Sequence, residues 1–328
     1  MCGIFAIINN NTSSDRISQT VSTLNKRGPE KTSIEYFTDK YIAFGFNRLA
    51  INGYKKELSG QPINMCKCSL ICNGEIYNWK ELHQTLDITN TTNSDCEIII
   101  HMYKKYGMEY ALNIIDGVFA FILYDHLNQK IFVARDAFGV RPLFLSTYKE
   151  QFIFSSEMKQ IESCFTNYNH KDMQFYPGTF SEFKWVSSGF WYGGGGQWTL
   201  NYNQEFFNTN IAINKTIKND NMACRLIRSS FERAISKRVS NTDRPVACLL
   251  SGGLDSSLVA ALVNKHYGIG NLHTWSIGLK GSDDLKYAKI VANHLQTIHH
   301  EICISEEQLL EAIETVIYHI ESYDTTTV

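Results

Sequence analysis

The pattern of apolar residues changes near residue 200, and this change most constrains how the chain can fold. Before it, Val118–Tyr124 and Ile131–Arg135 are apolar runs on either side of the loop Asp125–Asn128, which predicts a β-hairpin. After it, the apolar run Val246–Leu250 predicts a buried strand, and helical and strand patterns then alternate. A length of 328 residues suits about two domains. The sequence therefore predicts a layered α+β domain followed by an α/β domain with a parallel sheet.

The predicted elements agree with this division. In the first domain they are strands at Cys2–Ile8, Tyr41–Phe46, Ser69–Asn73, Val118–Tyr124, Ile131–Arg135 and Gln151–Ser155, and helices near Ile17–Lys26, Asn78–Leu86 and Cys96–Tyr106. In the second they are helices at 221–239, Ser256–Asn264, Leu285–Leu295 and Glu306–Tyr318, and strands at Val246–Leu250, His273–Leu279 and His299–Ile304. Residues 187–210 include four consecutive glycines and show no periodicity. We therefore predict domains at 2–185 and 221–328, with a linker or insertion at 186–220.

Composition limits the expected partners and compartment. The formal net charge of −2 gives no electrostatic argument for nucleic acid or an anionic membrane surface. We find no apolar stretch near the roughly 18 residues that a membrane helix needs, and no signal-peptide pattern. The nine scattered cysteines fit reduced thiols in the cytosol better than a disulfide framework. The spacing of Cys66, Cys68 and Cys72 is not the paired spacing of zinc ligands, so we read them as packed strand residues.

The first candidate site begins at the amino terminus. Methionine before a small residue is commonly removed, and its loss would give Cys2 a free α-amine. An α-amine titrates near pH ~7.7–8.0, so it can act as a base for the thiol of its own residue. By itself, a cysteine at position 2 is a weak signal of a catalytic nucleophile.

Four further stretches of the first hundred residues strengthen this signal. Arg48 follows a predicted strand and can bind a carboxylate, and Asn73 with Gly74 can form an oxyanion hole. Asp95 offers a carboxylate for an ammonium group, and the turn Arg27–Glu30 can close over a pocket. Taken singly, these residues also fit a surface ion pair, a turn and a helix cap. Taken together, they predict hydrolysis of the side-chain amide of glutamine.

The second candidate site is the stretch Leu250–Ser257, which reads LSGGLDSS between a predicted strand and a predicted helix. Backbone N–H groups and a helix amino terminus converge in such a turn, which favours an anion. Ser251, Gly252, Gly253 and Ser256 can surround a pyrophosphate group, and Asp255 can hold Mg²⁺ directly or through water. The Gly-Lys-Ser/Thr of kinase-type phosphate loops is absent. A purely structural turn remains an alternative for the glycines.

Over residues 2–185 the sequence resembles class II glutamine amidotransferase domains. The resemblance rests on the stretches above and on Arg135–Leu143 and Ser155–Lys159, which are similar to further family signatures. It implies an α+β N-terminal-nucleophile αββα sandwich, with two stacked sheets between helix layers. It also implies that Cys2 attacks glutamine and that Asn73 and Gly74 stabilise the oxyanion. The residues implied to bind glutamine are Arg48, Leu49, Ala50, Ile51, Asn52, Asn73, Gly74, Glu75 and Asp95.

The stretch Leu250–Ser257 resembles the pyrophosphate loop of synthetases that cleave ATP to AMP and pyrophosphate. This implies an α/β parallel-sheet adenine-nucleotide-binding domain, truncated here, in which Leu250 and Ile277 contact adenosine. Glu321–Thr326 is similar to a family segment near the aspartate and ATP sites. Together the two parts resemble the glutamine-hydrolysing asparagine synthetase family, which implies glutamine, aspartate and ATP as partners, Mg²⁺ as cofactor and β-aspartyl-AMP as intermediate. A homodimer is compatible with this reading.

The sequence departs from that family at its end. Family members continue well past Val328, and neither their second anion loop, of the form Ser-Gly-Glu-Gly, nor their later basic stretch occurs here. We expect a fragment that retains mainly glutaminase activity, with a truncated gene product as the alternative. Other readings are another class II amidotransferase and a non-catalytic regulator derived from one.

Overall fold

The change of pattern near residue 200 coincides with a division of the chain into two units, Met1–Ile211 and Ala212–Val328. The computed structural model describes residues 1–54, 56–164, 171–187, 196–208 and 216–322.

The first unit is rich in strands. Its strands are β1 Gly3–Ile8, β2 Lys31–Phe37, β3 Ile42–Arg48, β4 Ile63–Met65, β5 Cys68–Ile76, β6 Gly117–Asp125, β7 Lys130–Arg135, β8 Phe144–Tyr148, β9 Gln151–Ser155, β10 Lys171–Gln174, β11 Thr179–Ser187 and β12 Gly196–Glu205. Its α-helices are α1 Ser14–Ser22, α2 Trp79–Leu86, α3 Glu97–Tyr106, α4 Met108–Ile114 and α5 Met158–Cys164. The strands form two six-stranded sheets with the orders β10-β8-β9-β1-β3-β2 and β12-β11-β7-β6-β5-β4.

Alternation along the strands explains the layering of this unit. In β1, Ile4 belongs to the core between the two sheets, whereas Phe5 packs with Ile17 of α1 on the outer side. In the second sheet, Ile122 of β6 faces the shared core and Phe121 packs in the outer cluster with residues of α2, α3 and α4. Both faces of each sheet are therefore covered, and the predicted αββα sandwich is confirmed.

The stretch predicted as a linker or insertion at 186–220 contains the strand β12. It pairs antiparallel with β11, and Trp198 is buried between the sheets. The indole Nε1 of Trp198 donates a hydrogen bond to the carbonyl of Lys40 at 2.8 Å. The sequence hid this strand because it includes Gly196, Asn201 and Asn203, and Gly and Asn are depleted in strands generally. The glycines 193–195 lie outside the described residues, and the domain limits 2–185 and 221–328 stay predictions.

The second unit follows the predicted alternation closely. Its elements are α6 Asp220–Val239, β13 Ala247–Leu249, α7 Leu254–Tyr267, β14 His273–Leu279, α8 Asp283–Leu295, β15 Ile298–Ile304 and α9 Glu306–Ile320. The three strands pair in parallel in the order β13-β14-β15. Cys248 and Leu250 pack on one side of the sheet with Ala260 of α7 and Ala288 of α8. This arrangement confirms the α/β parallel-sheet class.

The other side of this sheet stays open in the part of the chain that the structure describes. Leu249 and Ile277, which point to that side by strand alternation, are 84% and 62% exposed. The helix α9 has no buried residue, and its apolar side chain Leu310 is exposed. Among the described residues, no helix has both the length and the apolar character needed to cross a membrane.

Candidate active site

The residues predicted to act on glutamine meet in one cavity of the first unit. Cys2 directly precedes β1, and Arg48 ends β3; because Gly3 pairs with Asn47, the start of one strand lies beside the end of the other. The cavity has a volume of about 40 Å³ with Met1 in place. Its lining comprises Met1, Cys2, Phe46, Arg48, Leu49, Ala50, Ile51, Asn52, Ser59, Gln61, Cys72, Asn73, Gly74, Ser94, Asp95, Cys96 and Arg141.

The Cys2 thiol lies against the backbone of Leu49. Its Sγ is 3.4 Å from both the amide nitrogen and the carbonyl oxygen of Leu49. Burial raises the pKa of the Cys2 thiol, and the Leu49 N–H partly opposes this effect. Burial also lowers the pKa of the Met1 α-amine, so more of this amine is unprotonated near neutral pH. A thiol whose pKa is raised needs such a base to become a thiolate.

The strand β5 supplies the predicted oxyanion donors. Asn73 is 1% exposed, and its Nδ2 has no hydrogen-bond partner among the described residues. Such a buried donor is costly, which indicates that it is held for a ligand. The neighbouring position requires glycine, because a Cβ on Gly74 would stand 2.7 Å from the carbonyl oxygen of Val118 on the paired strand β6. The register of β5 on β6 thus places both predicted donors in the cavity lining.

Opposite charges line this cavity. Arg48 donates through Nη2 to the carbonyl of Gly53 at 2.8 Å and to the Ser59 hydroxyl, which orients its guanidinium. Asp95 is buried and accepts from the Ile76 N–H at 2.7 Å. Burial raises the pKa of Asp95 to about 6. A cation beside this carboxylate would lower its pKa again, so the site favours an ammonium group.

Glu75 is not in the cavity lining. Its Oε1 accepts a hydrogen bond from Nη2 of Arg141 at 2.6 Å, and Arg141 itself lines the cavity. Sequence reasoning singled out the stretch that contains Arg141 but did not assign that residue to the site.

The signature Arg135–Leu143 folds around two side chains. The Asp136 carboxylate accepts from the backbone N–H groups of Val140 and Arg141 at 2.9 and 3.0 Å. The Arg135 guanidinium donates to the carbonyls of Gly139 and Arg141, each at 2.8 Å. These bonds close the loop and set the position of Arg141 at the cavity.

Two other stretches singled out from the sequence hold the nucleophile. Arg27 donates through Nε to the carbonyl of Cys2 at 3.1 Å and pairs with Glu157 at 3.2 Å. Ser156 accepts from the N–H of Ile4 at 3.0 Å. The turn Arg27–Glu30 and the segment Ser155–Lys159 therefore secure an end of the chain that would otherwise fray. Sequence reasoning named both stretches but not this role.

The second unit forms the predicted strand–turn–helix at Leu250–Ser257. Gly252 has a φ of +81°, and a Cβ there would lie 2.5 Å from the backbone nitrogen of Ala288. Gly253 caps α7 without a side-chain hydrogen bond, and the hydroxyls of Ser251 and Ser256 are 3.0 Å apart. The turn therefore presents backbone and hydroxyl groups at a helix amino terminus, where an anion is favoured.

A cavity of about 400 Å³ adjoins this turn. Four predicted ATP-site residues line it, namely Leu250, Ser251, Ser256 and Ile277. Gly252, Gly253 and Asp255 belong to the turn but not to the lining, and Asp255 is exposed in the first turn of α7. Sequence reasoning did not assign Leu249, Trp275, Ser276, Asp284 and Ile302, which also line it. Most of Glu321–Thr326 lies outside the described residues.

Comparisons with known proteins find matches for both parts of the chain. The family model for the glutamine amidotransferase domain matches residues 1–181, and the model for asparagine synthase matches residues 226–328. Asparagine synthetase [glutamine-hydrolyzing] 2 from Oryza sativa subsp. japonica is 39% identical over all of this chain and 54% of its own length. The corresponding enzyme from Zea mays is 37% identical, again over 54% of its length. The chain thus spans about half the length of the curated relatives it matches.

A solved structure supports the fold alone. The glutamine phosphoribosylpyrophosphate amidotransferase from B. subtilis superposes with a TM-score of 0.50 at 16% identity, over 92% of this chain and 81% of that one. Because the first family model covers more than half of the sequence, the resemblance drawn from the motifs is confirmed. The chain belongs to the glutamine amidotransferase family.

Proposed function

We propose that the first unit hydrolyses the side-chain amide of glutamine to glutamate and ammonia. The observation that carries this proposal is the convergence of Cys2, the unpaired Nδ2 of Asn73, Arg48 and Asp95 in one cavity. Removal of Met1 would enlarge this cavity, because Met1 is part of its lining. The same removal leaves the α-amine on Cys2 itself.

The reaction follows from these positions. The α-amine of Cys2 takes the thiol proton, and Sγ attacks the amide carbon of glutamine. Asn73 Nδ2 and the Gly74 N–H donate to the oxyanion that forms. The α-ammonium then returns the proton to the leaving nitrogen, and ammonia departs as a thioester forms. Water, activated by the same amine, attacks the thioester to give glutamate and restore the thiol.

Charge selects the substrate. Arg48 binds the α-carboxylate of glutamine, and Asp95 binds its α-ammonium group. The residues Leu49, Ala50, Ile51 and Asn52 form the adjacent wall of the cavity. We assign Glu75 an indirect role: through its ion pair it fixes Arg141, which reaches the cavity.

The nine cysteines are free thiols, which supports a reducing compartment such as the cytosol.

In the second unit we propose an ATP site at Leu250–Ser257. The positive φ of Gly252 and the uncapped start of α7 fit a phosphate group. Ser251, Gly252, Gly253 and Ser256 would hold the phosphates, and Leu250 and Ile277 would contact the adenosine. Asp255 would hold Mg²⁺, which supplies positive charge to the phosphates when bound.

The whole protein would then join the released ammonia to aspartate through β-aspartyl-AMP, with AMP and pyrophosphate as the other products. The match of residues 226–328 to the asparagine synthase model supports this assignment. The test is to incubate the chain with glutamine, with and without aspartate and MgATP, and to measure glutamate, asparagine and pyrophosphate. Glutamate that forms in wild type and disappears in Cys2→Ala supports the glutaminase proposal. No glutamate from wild type, or glutamate undiminished in Cys2→Ala, would refute it and favour a non-catalytic regulator.

A further inference from the structure

A second group of chemistry-bearing side chains lies on α2 and α3, and none of its members lines the glutamine cavity. His83 belongs to α2, and Glu97 and His101 belong to α3. One ligand atom from each lies within 4.8 Å of the other two. Two imidazoles and a carboxylate at this spacing are typical of a divalent transition-metal site.

The hydrogen bonds of His83 leave one ring nitrogen available. Its Nδ1 is 2.8 Å from the carbonyl oxygen of Trp79. Because a carbonyl only accepts, Nδ1 carries a proton, and in the neutral imidazole Nε2 then presents a lone pair. His83 is 5% exposed, and its Nε2 has no hydrogen-bond partner among the described residues. A buried lone pair without a partner is costly, which points to a ligand that completes it.

The carboxylate that faces this lone pair is held firmly. Glu97 is fully buried and accepts from the backbone N–H groups of Thr91 and Thr92 at 3.0 and 2.7 Å. The Thr92 hydroxyl donates to the same carboxylate at 2.6 Å. Outer donors that orient a ligating carboxylate, and a carbonyl that fixes the tautomer of a ligating imidazole, are features of metal centres.

The distances suit a small ion. Nε2 of His101 lies 3.2 Å from Oε1 of Glu97, and Nε2 of His83 lies 3.9 Å from the same oxygen. Bonds of about 2.0 Å at tetrahedral angles put ligand atoms about 3.3 Å apart, so only small side-chain shifts are needed. An ion pair between Glu97 and His101 on one helix face also explains their contact, and a protonated His83 would form a second ion pair with Glu97 at 3.9 Å. Neither ion pair gives Nε2 of His83 a partner at hydrogen-bond distance.

We propose that His83, Glu97 and His101 bind one Zn²⁺, with water in the fourth position. The partly exposed side chain of His101 leaves room for that water. No reacting group of the glutamine site belongs to this centre, so we assign it a structural role that ties α2 to α3.

The centre would also steady the segment 87–96 that joins the two helices. Thr92, which holds Glu97, accepts through its hydroxyl from the N–H of Ser94 at 3.1 Å. Ser94 and Asp95 line the glutamine cavity. Zinc binding should therefore stabilise the first unit and the wall that carries Asp95.

The experiment uses the whole chain after treatment with a chelator. Zn²⁺ is titrated in competition with a chromophoric chelator, into wild type, His83→Gln, His101→Gln and the control His294→Gln, whose side chain is exposed on α8. We expect one zinc ion per chain at this site in wild type and in the control. We expect an affinity at least about 100-fold weaker in either test variant, because each loses a ligand. Far-UV circular dichroism establishes that each variant is folded.

A second measurement needs no variant at the site. Co²⁺ replaces Zn²⁺ in wild type, and its visible spectrum reports the ligands; we expect bands of nitrogen and oxygen ligation without thiolate charge transfer. Cys66→Ser removes an exposed thiol as a competing site and should leave the spectrum unchanged. The proposal is overturned if wild type binds no zinc, if both histidine variants bind it as wild type does, or if the cobalt spectrum shows thiolate ligation.

Discussion

Replacing Asn73 with alanine separates what the unpaired donor costs in free energy of unfolding from what it contributes to kcat. Asn73 is buried, and its Nδ2 has no partner among the described residues, so the free enzyme carries an unsatisfied donor that costs about 1–3 kcal/mol. Truncation to alanine removes this cost but leaves a small void of similar cost. We therefore expect the free energy of unfolding of Asn73→Ala to differ from wild type by no more than about 1 kcal/mol.

The catalytic effect of the same change should be large. Loss of one oxyanion donor costs about 2.7–4 kcal/mol, which corresponds to a fall of about 10²–10³ in kcat. KM for glutamine should change little, because Asn73 donates to the oxyanion and not to the ground-state substrate. Glutamate release by the full chain and denaturant unfolding of the same preparations measure the two effects.

Asn47→Ala is the matched control. Asn47 is also buried, and its Oδ1 has no hydrogen-bond partner among the described residues, but its Nδ2 donates to Asn25 at 2.8 Å and to Thr32 at 2.9 Å. Removing these satisfied bonds should lower the free energy of unfolding by about 1–3 kcal/mol and leave kcat near wild type. If Asn73→Ala retains kcat, or if it destabilises the fold as much as Asn47→Ala, the donor assignment is wrong.

Three further predictions concern charge, backbone and position. Burial raises the pKa of Asp95 from 3.8 to about 6, so its protonated form should stabilise the fold fully below pH 4 and progressively less up to pH 6. In unfolding measured against pH, Asp95→Asn should abolish this loss of about 3 kcal/mol in the free energy of unfolding. The same variant should raise KM for glutamine at pH 7.5 more than it lowers kcat. Gly252→Ala should destabilise the second unit by about 2 kcal/mol or more, because the φ of Gly252 is +81° and the new Cβ would meet the backbone of Ala288. The same variant should abolish ATP binding measured by calorimetry, and unchanged binding would contradict the phosphate-loop assignment. Arg27→Gln should lower kcat about tenfold with KM nearly unchanged, because the hydrogen bond that holds the Cys2 carbonyl is weakened. An effect on KM alone would show that Arg27 does not position the nucleophile.

Local patterns in the sequence were enough to predict most helices and strands. The hairpin of β6 and β7 and the alternation of the second unit depend on short-range periodicity, which the sequence displays directly. The meeting of Cys2, Asn73 and Asp95 in one place was predicted through the family resemblance, since no local rule brings them together.

The features that sequence reasoning missed depend on contacts between distant residues. The burial of Trp198 in a glycine- and asparagine-rich stretch follows from pairing with β11, not from local propensity. The ion pair that holds Glu75 joins it to Arg141, 66 residues away, and the sequence alone does not reveal that contact. Likewise, the closeness of His83 to Glu97 depends on how α2 packs on α3, which the spacing of those residues does not reveal.

The proposed nucleophile is Cys2, freed by loss of Met1. A diazoketone analogue of glutamine alkylates a nucleophile seated in the glutamine site, and peptide mass spectrometry locates the adduct. We expect one adduct, on Cys2, in the chain that has lost Met1, and protection by glutamine. Chains that retain Met1, and the Cys2→Ala variant, should remain unmodified. An adduct on another of the nine cysteines, or equal labelling of the Met1-retaining chain, would contradict the account.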